Sequence, residues 1–395
     1  MRKYLAERMI QSMNFSALRH GNDDAPLDDS GWSDFPGVEA RRSRLDEFAA
    51  VNAGKSVLIT GAAGSIGAGL SRAVLAAGPR RLILLDSSEY GLHALQAALQ
   101  KYDAASAEGC TWILGDVCDR SLLADVFDRE RPQMVYHVAA FKQVPLSEQN
   151  PLAFLRNNVL GTYAVSQTAL RHSAEQMILI STDKAVHPHS LMGASKRLAE
   201  LVMLGLSMPE LPMKAVRFGN VLGSRGSVVP VFAEQIASGG PVTVTDPEAR
   251  RFFLTLRHAV ELILLAASTQ VGGIFVPNLS EQTPILKLAQ YLIGKAGFHP
   301  DQIPIIFTGL RPGDKKDETF VSDREVRQTM IENEMSSVKS AAISAAEVHA
   351  LMQRLEGCLE HRDLLGAMQL LGKYVPEYQP SEVLLKACGQ GVASA

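Results

Sequence analysis

The segment Ser181-Thr-Asp-Lys-Ala-Val-His-Pro-His-Ser-Leu-Met-Gly-Ala-Ser-Lys196 gathers the most reactive side chains of this chain. Thr182, Asp183 and Lys184 set a hydroxyl, a carboxylate and an amine in a row, and Lys196 lies further on. A simple alcohol oxidation has no task for the last two of the three. Abstraction of a proton followed by loss of a hydroxyl uses both, one as base and one as acid. Burial would favour the neutral form of each, whereas a salt bridge between them would hold both ionised. Met192, four residues before Lys196, carries a thioether that neither takes nor gives a proton. His187 and His189 read as loop polars. Their spacing suits no metal on a helix, no carboxylate cluster accompanies them, and no metal is expected.

Upstream, Val57-Leu-Ile-Thr-Gly-Ala-Ala-Gly-Ser-Ile-Gly67 reads as a strand that enters a Gly-x-x-Gly-x-x-Gly turn and then a helix. Gly61 allows the tight turn, Gly64 lets backbone approach a pyrophosphate, and Gly67 lets the helix pack close to the strand. Ser65 and Ile66 open that helix, whose free N–H groups would meet the phosphates. Asp86 stands 19 residues past Gly67 at the end of the next strand. There it would accept from a ribose 2′-hydroxyl and repel a 2′-phosphate, which favours NAD over NADP. Ser87 follows it. Asp116 and Val117, after a third strand, would flank the adenine, and Ala139 and Ala140 would let the cofactor lie against backbone. Asn158 suits either an internal hydrogen bond that holds the site strands or a contact with ligand.

These residues need a scaffold. Apolar runs at 57–60, 82–86, 111–114, 134–140, 177–181 and 215–218 suit buried parallel strands. Helical spacing fills 66–77, 90–101, 121–129, 152–171 and 191–206. The alternation predicts an α/β fold, a doubly wound parallel sheet with a smaller mixed substrate-binding lobe. The expected divisions are an N-terminal extension at 1–52, a dinucleotide-binding domain at 53–218, the lobe at 219–334 with segments returning to the main sheet, and a C-terminal helical extension at 335–395. Within the first, 21–31 reads as a loop and 38–50 as a short helix. The residues from Gly389 on read as a frayed tail.

Composition narrows the rest. A net charge of −3 and 21% charged residues give no reason to expect nucleic acid or anionic lipid as partner. No apolar run approaches a membrane span, and residues 1–10 have no apolar core of a secretory signal. Four cysteines without a Cys-x-x-Cys pair fit a reducing cytoplasm.

With these motifs, His137-Val-Ala-Ala-Phe-Lys-Gln-Val-Pro145, Asn157-Asn-Val-Leu-Gly-Thr162, Arg217-Phe-Gly-Asn-Val-Leu-Gly-Ser-Arg-Gly-Ser227, Gly240-Pro-Val-Thr-Val-Thr245, Arg251-Phe-Phe and Thr308-Gly-Leu-Arg-Pro-Gly313 in view, the chain resembles a known family. It is similar to the CapD-like polysaccharide-biosynthesis proteins, extended short-chain dehydrogenases/reductases that include UDP-N-acetylglucosamine 4,6-dehydratases. The likeness spans roughly 53 to 320. Such enzymes commonly carry Tyr-x-x-x-Lys, and many members of this family have Met where the Tyr would stand, as here at Met192. The chain departs from the family pattern at Gln143, at His187 and His189, and at 314–319. Long relatives carry membrane helices ahead of this domain, so the chain looks like a short, soluble, cytoplasmic form.

The resemblance implies a Rossmann fold, NAD, a UDP-linked sugar and a homo-oligomer. It implies Asp183 as acid at C6, Lys184 as base at C5, Thr182 on the C4 oxygen, Lys196 on the nicotinamide ribose and Met192 packed against sugar or nicotinamide. The C4 hydroxyl proton would leave through Thr182, Lys196 or water. Lys142 would reach substrate or cofactor, and Arg217, Asn220, Arg225 and Arg311 the nucleotide diphosphate. Other readings stay open: a nucleotide-sugar epimerase, a 5,6-dehydratase, C5 epimerisation coupled to dehydration, or a catalytically silent NAD-binding protein.

Overall fold

The computed structural model describes residues 27, 29–36, 38, 42–279 and 281–389. The start at 1–10, most of the expected loop at 21–31 and residues 390–395 of the tail lie outside them.

Nine strands form the main sheet: β1 Ser56–Thr60, β2 Arg81–Asp86, β3 Cys110–Leu114, β4 Met134–His137, β5 Gln176–Thr182, β6 Met213–Phe218, β7 Gly273–Pro277, β8 Val326–Ile331 and β9 Met335–Lys339. Their spatial order is β8-β9-β7-β6-β5-β4-β1-β2-β3. The pairings from β7 through to β3 are all parallel. β9 runs antiparallel to β7, and β8 to β9. The order 3-2-1-4-5-6 inside this sheet is that of a dinucleotide-binding fold, whose chain direction switches beside β1 and β4.

Side-chain alternation gives the sheet two apolar faces. Leu58, Ile83, Val135, Leu179 and Ala215 look to one side, toward α3 Arg120–Glu130, α4 Gly161–Arg171 and α5 Leu191–Gly205. Val57, Ile59, Leu84, Tyr136 and Val216 look to the other, toward α1 Ser65–Ala76, α2 Glu89–Tyr102 and α7 Leu256–Ser268. Helices on both faces make the sheet doubly wound, as the sequence predicts.

The lobe has its own core. Val229, Phe232 and Ile236 of α6 Val228–Ala237 pack against Leu288, Leu292 and Ile293 of α8 Ile285–Lys295. Trp32 and Phe35, from the N-terminal extension, are buried in that core, and Phe35 meets Phe253 edge-on at 5.7 Å. The extension thus staples to the lobe. The short helix expected at 38–50 spans Leu45–Ala49.

Two expectations change. Residues 335–339 are strand β9 in the main sheet, so the helical extension begins later, with α9 Ala345–Glu360, α10 Leu364–Tyr374 and α11 Glu382–Ala387. These helices add Val348, Leu351, Leu355, Leu371 and Leu384 to the core on the α5 side. The long helix expected at 152–171 is broken into Pro151–Leu155, a π-helical turn at Arg156–Leu160, and α4.

Candidate active site

A cleft of about 450 Å³ opens where the carboxyl ends of β1, β4, β5 and β6 meet the lobe. Its floor is the glycine turn. Gly61 adopts φ +67, and a Cβ there would lie 2.5 Å from the Ala139 nitrogen. A Cβ on Gly67 would lie 2.2 Å from the Gly61 oxygen, so only glycine lets α1 approach the strand this closely. Gly64 is the N-cap of α1 and no side chain caps the helix, which leaves its N-terminus facing the cleft beside Ser65 and Ile66.

Asp86 ends β2 at the cleft wall beside Ser87. Its Oδ2 accepts from the Ala63 N–H and its Oδ1 from the Ser88 N–H, both at 2.9 Å. The carboxylate thereby fixes the glycine turn to the end of β2 and keeps lone pairs for a ligand hydroxyl. Asp116, Val117, Ala139 and Ala140 also line the cleft, and Asp116 Oδ1 accepts from the Cys118 N–H at 2.8 Å.

Two buried groups set the wall between. Thr162 donates to the Asn158 carbonyl at 2.7 Å, so it accepts from His137 Nε2 at 3.0 Å. His137 Nδ1 then accepts from Thr60 at 2.7 Å. Burial, with help from Lys196, holds the imidazole's proton affinity down to about 3, and it stays neutral. Asn158 takes the internal role. It accepts from the Phe141 N–H at 2.8 Å and donates to the Phe141 carbonyl at 3.0 Å and to Ser195 at 2.9 Å. Its neighbour Asn157 reaches the cleft instead.

The loop after β5 brings the reactive groups together. Thr182, Lys184, Met192 and Lys196 line the cleft. Asp183 is fully buried beneath them. Its Oδ1 accepts from the Thr182 hydroxyl and from Lys184 Nζ, each at 3.0 Å, while Oδ2 has no hydrogen-bond partner. Lys184 Nζ also donates to Asn220 Oδ1 at 3.0 Å. The salt bridge that opposes separate acid and base is therefore present at rest. Asp183 can also exchange a proton with the cleft only through Thr182 or Lys184. Lys196 is buried, and desolvation lowers its amine to about 8 against an opposing pull from Glu200. The Met192 N–H donates to Ser147 at 3.2 Å, and its side chain is a buried apolar wall.

Of the residues expected at the diphosphate, Asn220 and Arg225 line the cleft, as does Lys142, whose amine is lowered by desolvation and by the Arg225 charge. Arg217 does not. It is fully buried, with Nε and Nη2 on Glu200 at 2.9 and 2.7 Å and Nη1 and Nη2 on Glu325 at 2.7 and 2.8 Å. Its donors are consumed inside the protein, which corrects its assignment to the nucleotide. Arg311 lies outside the cleft on an exposed loop and pairs with Asp314 at 2.8 Å.

Sequence reasoning missed Glu200, Glu325 and Glu318. Glu200 follows Lys196 by one helical turn, a spacing that could have flagged it. Glu318 lies in the charged run at 314–319, where the chain departs from the family pattern. It is buried with its carboxylate 3.9 Å from Lys184 Nζ.

The strand order, the glycine turn, a lysine-bearing helix beside the cleft and a separate lobe are those of an extended short-chain dehydrogenase/reductase. The model of the polysaccharide biosynthesis protein family matches residues 57–340, and the chain belongs to that family. It is 42% identical over 284 residues to the probable polysaccharide biosynthesis protein EpsC of Bacillus subtilis, covering 70% of this chain and 47% of EpsC. It is 39% identical over 304 residues to the capsular polysaccharide biosynthesis protein CapD of Staphylococcus aureus, covering 76% of this chain and 51% of CapD. The chain spans about half the length of these two relatives. Among solved structures, Pen from Bacillus thuringiensis superposes with a TM-score of 0.64 at 29% identity, covering 77% of this chain and 99% of Pen. Among the described residues, no helix is long and apolar enough to cross a membrane.

Proposed function

We propose that the chain is an NAD-dependent nucleotide-sugar 4,6-dehydratase that converts UDP-N-acetylglucosamine to a UDP-4-keto-6-deoxy sugar. The observation that carries this reading is the Thr182–Asp183–Lys184 cluster at the cleft, with Lys184 Nζ 3.0 Å from Asp183 Oδ1. A C4 epimerase needs one group to remove and return the C4 hydroxyl proton, whereas dehydration needs a separate base at C5 and acid at C6, which is why dehydration is preferred.

Gly61, Gly64, the uncapped start of α1 and Asp86 fit a dinucleotide. Bound there, NAD would supply a hydride acceptor for C4 and return the same hydride to C6, so no second oxidant is consumed. Asp86 favours the 2′-hydroxyl of NAD over a 2′-phosphate. Lys196 holds the nicotinamide ribose and Met192 packs against the ring or the sugar.

Oxidation at C4 makes the C5 proton acidic. The resting ion pair is one proton shift from the working pair: moving a proton from Lys184 Nζ to Asp183 Oδ1 leaves an amine and a carboxylic acid with no change in net charge. Burial of Asp183 makes that neutral form less costly than it would be in solvent. Lys184 then takes the C5 proton. The Asp183 proton passes to the departing C6 hydroxyl through Thr182, whose hydroxyl touches Oδ1. Water leaves, Lys184 returns a proton to C5 after hydride reaches C6, and the C4 hydroxyl proton released at oxidation, passing through Thr182, Lys196 or water, restores the one that Asp183 gave up. Lys142, Asn220 and Arg225 hold the nucleotide diphosphate. A cytoplasmic homo-oligomer is part of the same proposal.

Incubation with UDP-N-acetylglucosamine in D₂O tests it by mass. Loss of water with gain of one deuterium is expected from wild type, and an unchanged sugar from Lys184→Ala that still binds NAD. An active Lys184→Ala protein would sink the mechanism.

A further inference from the structure

Glu318 is a carboxylate that the proposed mechanism does not use, yet it is buried beside the amine at its centre. Its side chain is 2% exposed. Oε1 lies 3.9 Å from Lys184 Nζ and 3.9 Å from Arg251 Nε, and Oε2 lies 2.5 Å from Lys315 Nζ. The segment that carries it is docked onto the loop that carries Lys184. Lys315 Nζ donates to the Val186 carbonyl at 3.0 Å. Gly313 lies so close to Ser190 that a Cβ there would come within 2.8 Å of the Ser190 Cβ. Arg251 binds the carbonyls of Lys315 and Lys316 at 2.8 and 2.9 Å, and the Glu318 N–H donates to Gln282 at 3.0 Å.

Burying a carboxylate is costly, and Lys184 does not need this one as an anchor. Asp183 and Asn220 already accept from its amine. What Glu318 adds is charge. The charged groups that face Lys184 are Asp183 on its own loop and Glu318 from the lobe side, and Glu318 in turn faces Lys315 and Arg251. Asp183 and Glu318 set two carboxylates beside the Lys184 charge, while Lys315 and Arg251 offset the charge of Glu318. Burial pushes the Glu318 carboxyl up and the Lys184 charge pulls it back, as expected for a carboxylate whose state is tied to its neighbours.

We infer that Glu318 is a positioning residue which sets the charge state of Lys184, so that contact between lobe and catalytic loop tunes the base. The inference rests on the reading of Lys184 as that base.

The test reads Lys184 directly. Competitive labelling of the full-length, NAD-saturated protein with acetic anhydride, resolved at Lys184 by mass spectrometry, gives the pH at which its amine becomes reactive. Lys184 lines the cleft with its side chain 20% exposed, so the reagent has access. Glu318→Gln lowers that midpoint by about one pH unit or more, the scale set by one opposite charge at this range. Lys315→Gln raises it, and Glu318→Asp leaves it near wild type. Opposite signs cannot arise from a loosened loop, which would move both glutamine variants the same way. Unchanged midpoints, or shifts of one sign, in proteins that keep their melting temperature and NAD binding overturn the inference. If Glu318→Gln does not fold, Lys315→Gln decides alone, and absence of a rise refutes it. The readout needs no turnover. Expected shifts in a wild type that dehydrates no nucleotide sugar would sink the dehydratase assignment and leave charge control of Lys184 standing.

Discussion

Replacing Arg217 with methionine separates two roles that one arginine could have. A diphosphate-binding arginine would lose substrate affinity and leave stability alone. The buried arginine seen here does the reverse. Its loss strands Glu200 and Glu325, both closed to water. Breaking a buried ion pair from one side costs about 3–5 kcal/mol. Both glutamates keep Arg197, at 3.0 and 3.2 Å, Glu200 keeps the Ser181 hydroxyl at 2.6 Å, and Glu325 keeps the Ser322 N–H at 3.0 Å. These partners place the loss near the lower bound, about 3 kcal/mol. At roughly 2 °C per kcal/mol for a large chain, the melting temperature falls by about 6 °C at neutral pH. Acid narrows the gap. Arg217 holds the Glu325 carboxyl down to about 2 from an ordinary value of 4.5, against a desolvation that opposes it. A depressed carboxylate stabilises the fold above its unfolded value and loses that contribution as pH falls through the folded one. The difference between wild type and Arg217→Met is therefore full above about pH 4.5 and shrinks toward pH 2. Calorimetric unfolding across pH, with titration of UDP well below the melting point, checks both halves. An unchanged melting temperature with UDP binding weakened tenfold would refute the structural role.

Gly67→Ala puts a methyl group 2.2 Å from the Gly61 oxygen and 2.8 Å from the Ala62 oxygen, so α1 must back away from the glycine turn. Overpacking of this kind costs about 1–3 kcal/mol, and NAD affinity is expected to fall at least about tenfold by calorimetry, because the displaced helix carries the N–H groups proposed to meet the phosphates. Asp86→Ala removes a charged acceptor worth about 1.5–3 kcal/mol and frees the Ala63 and Ser88 N–H groups. NAD affinity drops by about tenfold or more while NADP affinity holds or improves; equal losses for both cofactors would remove Asp86 from 2′-hydroxyl recognition.

The parallel strands were legible because strands covered on both faces read as short continuous apolar runs, and residues 57–60, 82–86 and 177–181 each fall inside an observed strand. The glycine turn was legible because its three glycines answer to backbone constraints that no other residue meets. The break in the helix expected at 152–171 was not. It lies at a π-helical turn whose Asn158 binds Phe141 and Ser195, and partners that distant in sequence leave no mark on local periodicity. Glu318 escaped for the same reason: five charged residues between 314 and 318 look solvated until the lobe packs over them.

Arg217 and Arg225 show where a signal existed and was passed over. Both sit in one motif and both suit phosphate by chemistry. Along β6, however, Met213 and Ala215 face the α5 side and Val216 and Phe218 the other. Alternation therefore commits residue 217 to the α5 face, in the body of the sheet, whereas ligands in such folds sit beyond the carboxyl ends of the strands. On that face α5 presents Glu200, which also takes the Ser181 hydroxyl from β5, itself in step with Met177 and Leu179. Arg225 lies past the end of β6, in the loop whose N–H donates to Ser65 at the start of α1. The same side chain type is thus a buried clamp at one position and a cleft residue at the other, and the count of residues from the strand end decides which.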